Sequence, residues 1–278
     1  MSVYNNLIEK FVKAGIQSPR LEAKLLLAFV LGDNGTNFFD VELSDKQQDV
    51  LDELVNKRVI DKFPLDKIIG KKGFYKYEFV VNEDVLSPRP DTEILLEKAL
   101  ELSHKGEFSA LDLGVGSGCI LLSVLKENPN ACGVGVDVSE KALDVARQNA
   151  KNLEVENQVR FINASWFDAD FVGLFDEKFD IIVTNPPYIP DDDILRLEPE
   201  VKSHDPMLAL SGGFDGLVSY RRIAEIVPLI LKDNGYVLIE CGINQADDIV
   251  KIFTTQNLNF CEVVKDLSGI DRCVILKK

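Results

Sequence analysis

Residues 179–188 read FDIIVTNPPY, and this stretch decides the interpretation of the whole chain. The first six form a short run of apolar and β-branched side chains, which indicates a buried strand. Pro186 and Pro187 lack backbone N–H groups and cannot extend a hydrogen-bond ladder, so the strand ends at Asn185. Ligands of open parallel sheets bind outside the carboxyl ends of the strands. The tetrapeptide therefore predicts a site, with a proline-stiffened strand end as the alternative.

The tip of this stretch has the acceptors of a socket for a flat NH2 group. The Asn185 side-chain oxygen and the Pro186 carbonyl can each accept one hydrogen of a planar amine or amide. The Tyr188 ring can cover a face of that group, and Pro187 stiffens the turn. We predict Asn185, Pro186 and Tyr188 as catalytic residues, and these three together with Pro187 as substrate-binding residues.

A second candidate site lies upstream, where a short strand pattern at residues 110–113 leads into a glycine loop and a helix pattern at 119–126. Glycines let the backbone approach a ligand closely, and a helix N-terminus offers free N–H groups. The next strand, at residues 132–136, ends in Asp137, which can accept from ribose hydroxyls. The loop and Asp137 together predict adenosine binding, whereas the loop alone is as readily a structural turn and Asp137 alone a helix cap.

Two further side chains are candidates for the same edge of the sheet. Trp166 is the only tryptophan and follows a strand pattern at residues 159–162, so it either stacks on adenine or fills the core. Arg89 stands between Pro88 and Pro90, which aim its guanidinium in advance. We predict that Arg89 binds substrate, with a plain linker before a helix as the alternative.

The first 84 residues have a different pattern from the rest. Helical spacing of apolar side chains predicts three helices within residues 3–14, 19–31 and 45–55, the second capped by Ser18 and the third by a capping box of Ser44 with Gln47. An aromatic and β-branched run follows at residues 73–81 and predicts a hairpin. We therefore predict a helical bundle over residues 1–72, a β-hairpin linker over 73–84 and an α/β domain over 85–278.

From residue 85 onward, strand patterns alternate with helix patterns, which is typical of a doubly wound parallel sheet. The last two strands, at residues 260–264 and 272–276, are too close in sequence for a crossover and must pair antiparallel. The predicted fold is therefore α/β, with a doubly wound, seven-stranded, mostly parallel sheet and an antiparallel last strand, preceded by a small helical bundle and a β-hairpin linker. The long loop over residues 191–216 is predicted to be a lid, with His204 a satisfied loop residue rather than a general base.

Charge limits the classes of function. The formal net charge is −15, and residues 1–84 hold 12 basic and 14 acidic side chains, so most of the negative charge lies in residues 85–278. Such a surface repels phosphate backbones and disfavours nucleic-acid binding. A run of basic side chains between Lys57 and Lys76 predicts a solvated helix face, with a docking site for an acidic partner as the alternative.

The cysteines, histidines and apolar runs of the sequence limit the possible classes of protein further. Five widely spaced cysteines without a Cys-x-x-Cys pair favour free thiols in a reducing compartment. With only His104 and His204 in the chain, we expect no metal centre. No apolar run approaches the length of a membrane helix, and the first residues lack the pattern of a signal peptide, so we expect a cytoplasmic protein with no membrane partner.

These motifs together resemble the peptide chain release factor glutamine methyltransferases, a family of Rossmann-like enzymes that use S-adenosyl-L-methionine. The resemblance covers nearly the whole chain and is carried by SPRPDTE at residues 87–93, DLGVGSG at 112–118, NPPYI at 185–189 and KDLSGIDR at 265–272. The sequence departs from the family pattern at two positions. Ser165 stands where the family usually has an acid near the adenine, and Asp205 stands where it usually has a glutamate before proline.

The resemblance implies methyl transfer to the side-chain amide nitrogen of a glutamine in the Gly-Gly-Gln loop of release factors. We also expect the helical bundle to recognise the protein substrate, and the protein to be a monomer without stable nucleic-acid binding. The cofactor-binding residues would be Gly114, Val115, Gly116, Ser117, Gly118, Asp137, Trp166 and Asn185. Two alternatives stay open: a nucleic-acid adenine or cytosine amino methyltransferase, since these enzymes have a similar NPPY motif, and a non-catalytic adenosine-binding module.

Overall fold

The structure is a computed structural model that describes residues 2–32, 38, 41–103 and 106–278. These residues form two compact units. The helical unit comprises Met1–Lys71 together with Pro199–His204, and the sheet unit comprises Lys72–Glu198 together with Asp205–Lys278. His104, one of the two histidines considered above, lies outside the described residues.

The helical unit is built from short amphipathic helices around one apolar core. Its helices are α1 (Val3–Lys13), α2 (Pro19–Leu31), α3 (Asp45–Val59), α4 (Leu65–Ile69) and, from far along the chain, α9 (Pro199–His204). Leu7, Phe11, Leu26 and Val55 are among the side chains buried in this core. The predicted bundle of three helices is confirmed, and α4 and α9 add two short helices that apolar periodicity did not indicate.

The two predicted helix starts of this unit have different outcomes. Ser44 and Gln47 form the expected capping box, with the Ser44 hydroxyl accepting from the Gln47 N–H at 3.4 Å and Gln47 reaching back to the Ser44 N–H at 3.1 Å. Ser18 precedes α2, but its side chain makes no cap hydrogen bond. Ser18 is thus the N-cap residue with Pro19 as the first helical residue, as predicted, but its ψ of 58° departs from the extended backbone that a capping side chain requires.

A buried charge cluster joins α2, α3 and α9. Arg58 is only 4% exposed, and its Nε and Nη2 donate to the two Glu22 carboxylate oxygens at 2.6 and 3.0 Å, while Nη1 donates to Glu200 at 2.7 Å. Lys67 is also buried, and its Nζ donates to the His204 carbonyl oxygen at 2.6 Å. The predicted solvated face is therefore wrong at these two positions, because acceptors distant in sequence satisfy both bases.

We expect Glu22→Ala to lower the free energy of unfolding by about 2–3 kcal/mol, because the buried Arg58 guanidinium keeps only Glu200 as a charged acceptor. Lys10→Ala is the matched control, since it breaks an ion pair with Asp52 whose side chains are both more than half exposed. The control should change stability by less than about 1 kcal/mol. Urea unfolding followed by circular dichroism measures both variants, and equal small losses would contradict a buried charge cluster.

The predicted hairpin is present as β1 (Lys71–Phe74) and β2 (Tyr77–Val80). Phe74 and Phe79 are 2% and 0% exposed and pack into the core of the sheet unit. The buried Asn149 side chain accepts from the Val80 N–H at 2.7 Å and donates to the Val80 carbonyl at 3.0 Å. The hairpin is thus fixed to the sheet unit by apolar packing and by a pair of hydrogen bonds.

The large sheet has seven strands among the described residues, in the order β5-β4-β3-β6-β7-β9-β8. Its strands are β3 (Ser109–Leu113), β4 (Cys132–Asp137), β5 (Val159–Asn163), β6 (Phe179–Thr184), β7 (Leu231–Glu240), β8 (Asn259–Lys265) and β9 (Asp271–Lys277). All pairs from β5 to β7 are parallel, and β9 runs antiparallel to both of its neighbours. The predicted topology is confirmed.

Helices cover both faces of this sheet, so the inner strands are largely buried on both sides, whereas the edge strands β5 and β8 are more exposed. They are α5 (Glu93–Leu102), α6 (Cys119–Glu127) and α7 (Glu140–Asn152) on one face, and α11 (Val218–Ile230) and α12 (Ala246–Thr254) on the other. The chain steps from β3 outward to β4 and later returns to place β6 on the other side of β3. This switch point brings the loops after β3, β4 and β6 to one edge, where such folds bind ligands.

Candidate functional site

A cavity of about 470 Å³ opens at the carboxyl edge of the parallel strands of the sheet unit. Its lining includes most of the predicted site residues, namely Arg89, Gly114, Val115, Gly116, Ser117, Asp137, Trp166, Asn185 and Pro187. Gly118, Pro186 and Tyr188 are not among the described residues that line it. The sheet topology thus brings the glycine loop and the NPPY turn, about seventy residues apart in the chain, into one cavity.

The glycine loop is held by the acid at the end of the next strand. Asp137 Oδ2 accepts from the Gly116 N–H at 2.9 Å, and Oδ1 accepts from the Ser139 N–H at 2.9 Å. Each carboxylate oxygen keeps a second lone pair, so Asp137 can still accept from ligand hydroxyls. Burial raises the pKa of Asp137, while the backbone hydrogen bonds oppose that shift. The N-cap of α7 is Ser139, not Asp137, since the Ser139 hydroxyl accepts from Ala142.

Trp166 forms a wall of the cavity and also touches the core. A Cβ on Gly114 would lie 3.5 Å from the Trp166 ring, so the loop backbone packs directly on the indole. The buried Trp166 Nε1 has no hydrogen-bond partner among the described residues. Ser165, at one of the departures from the family pattern, also lines the cavity, and its N–H donates to Asp168. The volume, glycine loop, carboxylate and aromatic wall fit an adenosine-containing ligand.

The NPPY turn is anchored at its start and buried at its centre. Thr184 donates its hydroxyl hydrogen to the Leu113 carbonyl at 2.7 Å, which ties the end of β6 to β3. Asn185 Nδ2 donates to the Thr92 hydroxyl at 3.4 Å. Pro186 is buried, and the half-buried Tyr188 has its carbonyl held by Gln245 Nε2 at 3.0 Å. Burial raises the pKa of Tyr188 to about 12, so its phenol is protonated at neutral pH.

The loop predicted as a lid contains short helices and pairs with the NPPY turn. The Ile189 N–H donates to Leu210 at 3.0 Å, and the Gly212 N–H donates back to Ile189 at 2.9 Å. Two short helices, α8 (Asp191–Ile194) and α10 (Met207–Leu210), flank the part of this loop that belongs to the helical unit. Met207 and Leu208 line the cavity.

Two polar residues of this loop have defined partners. Asp205 accepts from Arg89 Nη2 at 3.0 Å, so the aspartate at this position can still hold the predicted substrate-binding arginine. His204 Nε2 lies 2.8 Å from the Asp61 carbonyl oxygen. The interpretation of His204 as a satisfied residue agrees with this contact.

Sequence reasoning assigned no role to several polar side chains around the site, although Thr92 and Asp112 lie within the SPRPDTE and DLGVGSG motifs. Glu240, the last residue of β7, is 3% exposed, and burial raises its pKa to about 7. Thr92 is 2% exposed and bonds to the Asn185 side chain. Asp112 lies behind the glycine loop, and neither of its carboxylate oxygens has a hydrogen-bond partner within the described parts of the chain; burial raises its pKa to about 8. Glu240 had one usable signal, an acid closing an apolar strand at the site edge of the sheet.

Metal-binding clusters and membrane-spanning helices are both absent from the described residues. No group of three or more metal-ligating side chains comes together among them. No helix in these parts of the chain has the length and apolar character needed to cross a membrane.

Comparison with known proteins places this arrangement in a class. Residues 103–267 match the family model of a methyltransferase domain, and residues 3–70 match that of the PrmC N-terminal domain. The fold resembles the solved structure of a candidate SAM-dependent methyltransferase from Streptococcus mutans, with a TM-score of 0.53 and 12% identity over 73% of this chain and 53% of that one. The class is that of S-adenosyl-L-methionine-dependent methyltransferases.

Curated relatives identify the family within that class. The release factor glutamine methyltransferase of Caulobacter vibrioides is 41% identical, over 96% of this chain and 92% of that protein. The enzyme of the same name from Rhodospirillum rubrum is 39% identical, over 95% of this chain and 81% of that protein. The chain belongs to the release factor glutamine methyltransferase family.

Proposed function

We propose that this protein transfers a methyl group from S-adenosyl-L-methionine to the side-chain amide nitrogen of a glutamine in peptide chain release factors. The observation that carries the proposal is the shared cavity, whose walls hold both the glycine loop with Asp137 and the NPPY residue Asn185. The first set suits adenosine, and the second suits a planar amide. Family membership supplies the identity of the acceptor protein.

The chemistry depends on positioning. A glutamine amide nitrogen is a weak nucleophile because its lone pair is delocalised into the carbonyl group. The bound cofactor supplies an electrophilic methyl group on a sulfonium. Asn185 Oδ1 and the Pro186 carbonyl accept the two amide hydrogens, while Tyr188 fixes the plane of the amide, and orientation of this kind supplies most of the acceleration. No strong base is required, since the nitrogen proton becomes acidic only as the new bond forms.

The helical unit recognises the protein substrate, and Arg89 lies within the cavity where it can contact the acceptor. The enzyme acts as a monomer in the cytoplasm. A nucleic-acid amino methyltransferase is the second candidate, because NPPY alone suits either acceptor, but a net charge of −15 disfavours it.

The acceptor can be tested directly. We would incubate the protein with labelled S-adenosyl-L-methionine and purified release factor, RNA or DNA, and locate the methyl group by mass spectrometry. We expect it on the glutamine of the Gly-Gly-Gln loop, with modest loss of affinity as salt is raised. A nucleic-acid enzyme should instead lose about 0.9 log units of affinity per log unit of salt for each phosphate contacted. A methylated base with such a slope would support the second candidate.

Asp137→Ala is expected to weaken S-adenosyl-L-methionine binding by about 1.5–3 kcal/mol, because ribose hydroxyls lose a charged acceptor. The Gly116 N–H loses its partner in the same variant, which adds to the effect. Asp144→Ala is the matched control, an exposed acid on α7 that pairs with Arg147. Isothermal calorimetry measures both affinities. An unchanged affinity for Asp137→Ala would show that this acid serves only the protein backbone.

A further inference from the structure

Glu240 is a buried acid that the proposed reaction does not use. It ends β7, next to the strand that carries Asn185, and is 3% exposed. The Thr92 and Asn185 side chains face its carboxyl group as donors, and both lower its pKa. Its Oε2 is buried and has no hydrogen-bond partner among the described residues. A buried carboxylate oxygen without a hydrogen bond lowers the stability of the fold, which points to a role beyond packing.

The donors and acceptors around Glu240 have a fixed direction. An ionised carboxylate only accepts, so the single Thr92 hydroxyl hydrogen is directed to Glu240. The Thr92 oxygen then has only lone pairs to offer Asn185, and it accepts from Asn185 Nδ2 at 3.4 Å. Glu240 and Thr92 thus both present acceptors to Asn185. The nitrogen of the Asn185 carboxamide must therefore point toward these two residues, on what we call the inner side of Asn185. The carboxamide oxygen is left on the side of the cavity that Asn185 lines.

We propose that Glu240 is a positioning residue that, through Thr92, sets the orientation of the Asn185 carboxamide so that its oxygen faces the methyl acceptor. This rests on the proposed function, in which Asn185 must accept a hydrogen from the glutamine amide. A flipped carboxamide would present an NH2 group to the NH2 group of the acceptor, and two donors repel. Glu240 thereby selects the reactive one of two nearly isosteric states of Asn185.

An ion-pair network holds the partners of Glu240 in place. Arg272 on β9 donates to Asp91 at 2.7 Å and to Asp266 at 3.0 Å. Asp91 precedes Thr92 in a short 3-10 turn, so this pairing fixes the turn that supplies the Thr92 hydroxyl. These residues come from the SPRPDTE and KDLSGIDR motifs, in which the proposed chemistry gives a task only to Arg89. Their shared effect is to support the inner side of Asn185.

The direction of these hydrogen bonds depends on the charge of Glu240. Burial raises the pKa of Glu240 to about 7, against the lowering effects of Thr92, Arg272 and Asn185. As the pH falls through about 7, the carboxyl gains a hydrogen and can donate to Thr92, whose own hydrogen is then free to turn to Asn185. Transfer should slow on that acid limb, because the carboxamide oxygen is drawn inward.

Other titratable and charged groups surround Glu240 and have to be separated from it. They are Asp91, Cys119, Tyr188, Tyr220, Cys241, Arg272 and Cys273. Burial raises the pKa values of the tyrosines and cysteines in this set, which keeps their titration away from neutrality. Asp112 lies behind the glycine loop, and its pKa is raised to about 8. Its titration gives a separate limb in the pH profile of kcat, which a change at Glu240 should not remove.

Glu240→Gln and Thr92→Val test the relay in the full-length protein with a release factor as acceptor. We expect each to lower kcat by about 10–100-fold, since the acceptor atom is no longer held in place, with cofactor affinity near the wild-type value. Thr92→Ser retains the hydroxyl and should keep most activity. Glu262→Gln is the control on the same sheet, a partly exposed acid paired with Lys98. The limb near pH 7 in kcat should vanish in Glu240→Gln and persist in Glu262→Gln.

A readout independent of catalysis separates this inference from the proposed function. In protein labelled with 15N-asparagine, the Asn185 side-chain NH2 signals, assigned from their loss in Asn185→Ala, should shift with pH around 7. That shift should be absent in Glu240→Gln. If the shift is seen but no release factor is methylated, the relay stands and the proposed function fails. If the signals do not respond to pH, or Glu240→Gln keeps wild-type kcat and the same limb, the inference is overturned.

Discussion

Asn185→Ala is expected to lower kcat for methyl transfer by about 10²–10³-fold, the range for loss of one preorganised polar contact to the reacting group. The side chain is assigned to the acceptor amide, and its Oδ1 has no substitute on the NPPY turn. Cofactor affinity should stay close to wild type, because the contacts proposed for adenosine belong to the glycine loop and to Asp137. Single-turnover rates together with calorimetry separate the two effects.

The matched control for Asn185→Ala is Asn259→Ala. Asn259 is an exposed residue at the start of β8, so it lies at the amino end of that strand and away from the cavity. The Asn259→Ala variant should transfer methyl groups at the wild-type rate. Full turnover in Asn185→Ala would remove the basis of the proposed amide socket. Loss of cofactor binding in step with activity would place Asn185 in the cofactor site instead.

Gly212→Ala is expected to have the next largest effect, a loss of about 100-fold in kcat, because it shifts the NPPY turn from behind. A Cβ at this position would lie 2.8 Å from Tyr188 Cα and 2.8 Å from Gly216 Cα. Both contacts are with backbone, which cannot move aside as a flexible side chain can. We also expect the free energy of unfolding to fall by about 1–3 kcal/mol, as for other overpacked sites.

Gly173→Ala is the matched control for Gly212→Ala. Gly173 lies in a short 3-10 turn of the same unit, and an added Cβ there would meet nothing within 4 Å. Its activity and stability should both stay near the wild-type values. Kinetics with a release factor and urea unfolding measure the two glycine variants in parallel. Unchanged turnover in Gly212→Ala would mean that the backbone packing between this loop and Tyr188 does not control the socket.

The sequence was sufficient for the fold because the signals of the sheet are local. Apolar runs of four to six residues indicated each parallel strand, and the short gap before residues 271–277 required the antiparallel end. Strand limits were less accurate. The predicted strand near Tyr236 extends back to Leu231, since that residue pairs with Phe179 across a register shift that no local pattern indicates.

The candidate site was predictable only where it is written in contiguous motifs. The glycine loop, Asp137 and the NPPY turn can each be recognised from a motif of a few contiguous residues. Glu240 lies in no such motif, and the SPRPDTE motif does not reveal the role of Thr92, because the importance of both residues comes from a contact between parts of the chain that are far apart in sequence. The same holds for Arg58, whose partner Glu200 is 142 positions away, so its charge suggested solvent rather than burial.

The membership of Pro199–His204 in the helical unit has a consequence for biosynthesis. Arg58 leaves the ribosome 142 residues before Glu200, the second carboxylate that its buried guanidinium needs. At translation rates of about 5–20 residues per second, that interval lasts roughly 7–28 s. During this time the nascent helical unit holds a cation with half of its final neutralising charge. Its folding therefore cannot finish in the order of synthesis, and the first unit to emerge has to wait for a segment made after most of the sheet.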